Sequence, residues 1–100
     1  MAANGRSTVP ARELYGRYRQ LVEQLANQPP PSLSTWQTEL QHIVSKFQAD
    51  TEVLTPSRTE LLCWELIEQF EEEALRAVKL HRRDVLWAAV KALETIARGR

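Results

Sequence analysis

Apolar residues in this chain recur at intervals of three and four, a spacing that gathers side chains into one stripe along a helix. Leu14, Tyr18, Leu21, Val22 and Leu25 form one stripe, and Trp36, Leu40, Ile43, Val44 and Phe47 form a second. Leu61 to Ile67, continuing to Phe70, Ala74 and Ala77 or Val78, supplies a third, and Leu86, Ala89, Val90, Leu93 and Ile96 a fourth. A helix that is apolar on one stripe must bury it against another helix. The expected fold class is therefore all-α, a small antiparallel helical bundle of four helices, with no sheet.

A length of 100 residues suits one domain with one core. Apolar residues at 43% and charged residues at 26% match the balance of folded chains. Residues 1–8 are expected to form a disordered leader and residues 9–100 a single bundle domain. The first helix is predicted from about Val9 to Asn27, with Ser7 or Thr8 as its cap and Pro10 in its first turn, where a missing amide costs nothing. Pro29, Pro30 and Pro31 stop it and form the one clear linker.

A second helix is predicted from about Thr35 to Ala49, opened by a capping-box pair of Ser34 and Gln37. Asp50 to Leu54 interrupts the pattern, and Thr55 followed by Pro56 makes a cap and first-turn pair for a third helix. Leu61 to Ile67 is apolar on more than one side, which predicts that the third helix is the central one. No glycine or proline separates it from the last stripe. Two readings follow: Asp84 caps a fourth helix after a basic cluster, or the third and fourth helices are continuous. The first is favoured, because a continuous helix of about forty residues is roughly 60 Å long and this chain cannot cover it.

Thirteen basic and thirteen acidic residues cancel, removing the overall field that steers a protein onto nucleic acid or acidic membrane. Cys63 is the single cysteine, so no intrachain disulfide forms. Neither a secretory signal nor a membrane-spanning run is present, and the expected location is cytoplasmic.

No arrangement of residues predicts catalysis, a cofactor or a metal. His42 and His81 stand far apart, and neither has a second histidine or a cysteine at tetrahedral-site spacing. Cys63 falls on an apolar stripe, where a thiol acts as a small hydrophobe. Glu65, Glu68, Glu71, Glu72 and Glu73 crowd the third helix. Glu72 with Arg76 and Glu94 with Arg98 stand at the four-residue spacing of a solvated face, while Glu65, Glu68 and Glu72 share a face that suits a basic partner. The basic cluster Arg76, Lys79, His81, Arg82 and Arg83 is the best candidate anion-binding surface; a solvated helix end explains it equally well. Aromatics are enriched at interfaces, and Trp87 lies on a different face from Val90 and Leu93, which makes it the preferred exposed anchor.

Three fragments carry a resemblance: Arg17-Tyr18-Arg19-Gln20-Leu21-Val22, Ile43-Val44-Ser45-Lys46-Phe47-Gln48-Ala49-Asp50 and Glu65-Leu66-Ile67-Glu68-Gln69-Phe70. In that order they resemble the helical C-terminal domain of the cyanobacterial clock protein KaiA and, more loosely, the N-terminal helical domain of RsbU-type phosphatases. The resemblance spans about half the chain and needs an insertion before Glu65, and the segment Trp87-Ala88-Ala89 departs from it. It implies a dimeric helical domain that contacts and regulates another protein, without catalysis of its own, and it assigns no functional residues.

The expected function is that of a non-enzymatic protein–protein interaction module with a regulatory or assembly role. Its partner is another protein, it associates with itself as a homodimer, and no membrane contact is expected. Partner binding is assigned to Trp87, Arg82, Arg83, Lys79 and Arg76. The alternative is a helical protein that contacts nucleic acid through the basic residues between 76 and 83. The acidic run one turn away and the neutral total charge argue against it.

Overall fold

The structure, a computed structural model, describes residues 11–28 and 33–99. Four helices make up the fold: α1 (Ala11–Asn27), α2 (Leu33–Asp50), α3 (Pro56–Arg76) and α4 (Leu80–Arg98), with a short 3-10 turn at Thr51–Val53. No strand occurs among the described residues. The leader, the Ser7 or Thr8 cap, Pro10 and the triple proline lie outside them. Helix α2 starts at Leu33, so Ser34 falls inside its first turn rather than ahead of it.

Ion pairs and ring contacts fix the direction of each helix. Arg82, near the start of α4, reaches Asn27 at the end of α1 and Glu73 near the end of α3. Trp36, near the start of α2, meets His81 edge to face at 5.9 Å. The starts of α2 and α4 thus lie at the ends of α1 and α3, the up-down-up-down order that short connections favour.

The central element is α4, not α3 as the apolar pattern predicts: it packs against all three other helices. Its Val85, Leu86, Ala89, Val90, Leu93, Ile96 and Ala97 are all buried. In α3 the buried stripe is Thr59, Leu62, Cys63, Leu66, Ile67, Phe70 and Ala74. Leu61 and Trp64 belong to its opposite face and are exposed, so the second apolar side of α3 is not part of the core. Tyr18 and Phe47 pack edge to face at 5.1 Å and tie α1 to α2 within the same core.

Thr55 caps α3 as predicted: its hydroxyl accepts from the Arg58 amide at 3.2 Å, with Pro56 in the first turn. Helices α3 and α4 are separate, but the break comes earlier than Asp84. Ala77 and Lys79 have extended backbones, with φ/ψ of −72°/132° and −79°/134°. Lys79 is the N-cap of α4 and makes no side-chain capping bond. Asp84 therefore lies inside α4. An earlier turn leaves Val85 and Leu86, both fully buried, on a helix already running back along α3.

Candidate interaction surface

The position of the break moves the basic cluster from the end of one helix to the start of the next. Only Arg76 sits in the last turn of α3, where the helix dipole favours a cation, while His81, Arg82 and Arg83 occupy the first turn of α4, where it opposes one. Carboxylates from other helices offset that cost for Arg82. Its guanidinium donates to Glu23 at 3.0 Å, Glu73 at 3.1 Å and Asn27 at 2.9 Å. Glu73 also accepts from Arg19 at 3.3 Å and from Gln69. His81 places Nε2 3.1 Å from the Leu25 carbonyl. This network joins α1, α3 and α4.

Glu73 and Tyr18 have shifted titration. Burial is the largest influence on Glu73 and would raise its pKa. Hydrogen bonds from Gln69 and Arg19, together with the Arg19 charge, outweigh it and hold Glu73 below its ordinary value. Tyr18 is pushed upward, first by burial and then by its hydrogen bond to Asp50 and that carboxylate's charge. Each is explained by the contacts that hold the helices together.

The five residues assigned to partner binding therefore have different fates. Arg82 has only 23% of its side chain exposed and is engaged inside the molecule. Trp87 is partly buried and packed against the core, so it is not the exposed anchor expected of it; Trp64 is the more exposed tryptophan. Arg76, Lys79 and Arg83 are exposed. Arg76 pairs with Glu72 at 3.6 Å across one helical turn, and Arg83 reaches the Ala77 carbonyl at 3.5 Å.

Beside these three lie exposed apolar residues, among them Val78, which the apolar spacing offers with Ala77 as the last position of the third stripe but which falls in the turn after α3. Leu75 is 75% exposed, Val78 91% and Leu80 67%. Farther back along α3, Leu61 is 61% exposed and Trp64 37%. At 100° per residue, Leu61, Trp64, Glu65, Glu68, Glu72 and Leu75 share the outward face of α3. A shallow groove of about 860 Å³ runs between that face and the start of α1, lined by Arg12, Tyr15, Glu65, Glu68, Glu72 and Leu75 among others. The signal for this surface was present in the sequence, since Leu75 falls off the buried stripe next to Ala74. A burial pattern alone does not distinguish such a leucine from an isolated surface residue.

Among the described residues, no group of three histidine, cysteine or acidic side chains is placed to hold a metal ion. Cys63 is buried within the core, and His42 is exposed. No helix among the described residues is long and apolar enough to cross a membrane. No protein-family model, curated protein or solved structure matches the chain.

Proposed function

We propose that the chain is a helical protein–protein interaction module with a regulatory or assembly role, acting through the outward face of α3 and the turn that follows it. The observation that carries this reading is the set of exposed apolar side chains on α3, the turn after it and the start of α4: Leu61, Trp64, Leu75, Val78 and Leu80. Single exposed hydrophobics are ordinary on a protein surface, whereas apolar groups clustered and rimmed by charge mark contact sites. The reading agrees with the interaction role implied by the resemblance to KaiA-type and RsbU-type helical domains. Engagement of Arg82 within the bundle removes one of the cations on which the nucleic-acid alternative relies.

The test is affinity capture from the native source with the wild type and with Leu75→Asp, each checked for helix content by circular dichroism. A captured protein is then purified and its binding to both forms measured directly. The expected result is a partner held by the wild type and lost by the variant. Equal binding by both forms would show that this face is not the interaction surface. Nucleic-acid binding that weakens with salt and with replacement of Lys79 and Arg83 by glutamine would favour the alternative.

A further inference from the structure

We infer that the groove between α1 and the outward face of α3 receives a basic amphipathic helix of a partner protein, its cations set on the α3 glutamates and its apolar side chains on Tyr15 and Leu75. The proposal rests on the interaction reading above. The groove measures about 860 Å³, and its walls come from two helices. Arg12 and Tyr15 stand on the α1 side, and Glu65, Glu68, Glu71, Glu72 and Leu75 on the α3 side. Four carboxylates therefore share it with one guanidinium. The whole chain is neutral, so this acidity is local to the groove.

The fold itself makes little use of these carboxylates. Glu13, Glu23, Asp50 and Glu73 all pair with arginines of the bundle. Of the four glutamates in the groove, only Glu72 forms an ion pair among the described residues, with exposed Arg76 at 3.6 Å. Glu65, Glu68 and Glu72 stand three and four residues apart on one face, where like charges repel. A basic surface laid on them relieves that repulsion, while partly buried Tyr15 and exposed Leu75 supply apolar contact beside the charges. The same carboxylates repel a phosphate backbone.

The spacing favours a helix as the occupant. At 1.5 Å per residue, Glu65, Glu68 and Glu72 follow one another at about 4.5 and 6 Å along the axis of α3. Lysines or arginines three and four apart on a helix laid alongside have the same intervals, whereas an extended segment returns side chains to one face about every 6.7 Å. Two helical turns, about 10 Å across and about 11 Å long, occupy roughly 850 Å³, the scale of the groove.

The test is an NMR titration of the isotopically labelled full chain with a synthetic alanine-rich peptide of about twenty residues, long enough to hold a helix in water. The peptide carries lysines at three-and-four spacing with leucines beside them. Amide shifts are expected at Arg12, Tyr15 and residues 65–75, with affinity falling as salt rises. Glu65→Gln with Glu68→Gln is expected to weaken binding by about ten-fold, the loss of two charge pairs. Leu75→Ala is expected to weaken it by about five-fold, the loss of an apolar contact. Glu39→Gln with Glu52→Gln removes the same charge from exposed positions outside the groove and is expected to change affinity by less than about two-fold, since distant exposed charges are screened. Helix content is verified for every form.

No binding by the wild type, shifts that lie away from the groove, or equal losses from the two double variants overturn the groove as a site for a basic helix. Equally tight binding of a peptide of the same composition with its lysines at every second position overturns the helical register. The interaction reading fails separately: a captured partner that is lost by Leu75→Asp but binds the Glu65→Gln, Glu68→Gln form unchanged leaves that reading standing and overturns the basic occupant.

Discussion

The two faces of α3 have apolar residues in common and little else. On the inward face, Leu62, Leu66, Ile67 and Phe70 are almost wholly removed from water and packed in the core. On the outward face, Leu61, Trp64 and Leu75 remain in solvent among glutamates. A leucine contributes to stability only through the surface that folding takes from water, about 25 cal/mol per Å². Leu66 and Leu75 are therefore chemically identical and energetically unlike. The inward face stabilises the monomer; the outward face leaves apolar area for an external contact.

Paired substitutions give the sharpest test of that contrast. Phe70→Ala is expected to destabilise the fold by about 3 to 5 kcal/mol, because it removes a buried ring and leaves a cavity. Leu75→Ala is expected to stay within about 0.5 kcal/mol of the wild type, as surface replacements do. Chemical denaturation of both proteins, at concentrations low enough to keep them monomeric, measures the difference. Comparable losses would show that the two faces are not distinct.

A smaller contrast separates neighbouring arginines. Arg82→Gln leaves Glu23 and Glu73 without their shared cation and is expected to cost about 2 kcal/mol, allowing for partial solvent access. Arg83→Gln is expected to cost less than about 0.5 kcal/mol. Denaturant midpoints compared at one salt concentration decide the matter, and equal midpoints would remove Arg82 from its place as a structural link. The same measurement in high salt is expected to lower the wild type only modestly, since partly buried pairs are screened less than exposed ones.

The smallest expected effect is a dependence on acid. A carboxyl group whose pKa is lower in the folded state contributes stability above its unfolded value, and that contribution disappears as pH falls through the folded value. For Glu73 the loss is expected to begin near 4.5, its ordinary value, and to continue below it. Unfolding followed from neutral pH downward is expected to show this slope in the wild type and a shallower one in Glu73→Gln. An unchanged slope would place the acid sensitivity at other carboxylates.

Much of the helical framework was legible from short-range signals. Thr55 and Pro56 announced the start of α3 because capping is a contact between residues three apart, and the Thr55–Arg58 bond is of that kind. Leu66, Ile67 and Phe70 were legible as core from their spacing. The candidate surface was less so. Trp87 and Trp64 both sit on helices among apolar neighbours, and only the packing of α4 at the centre shows which one is partly covered.

By itself the sequence determined that this chain is helical, that four stripes must be buried, and where α3 begins, because these follow from the periodicity and capping chemistry of neighbouring residues. The tertiary structure alone decided where α3 ends and what becomes of the basic cluster. No glycine, proline or capping side chain marks the break at Ala77–Lys79; it lies where α4 can return along α3 and bury Val85 and Leu86. That return carries Arg82 to Asn27 and Glu23, partners 55 and 59 residues away in the chain, and leaves Arg83 outside. Adjacent arginines are indistinguishable to any local rule, and what separates them is the position of carboxylates on another helix.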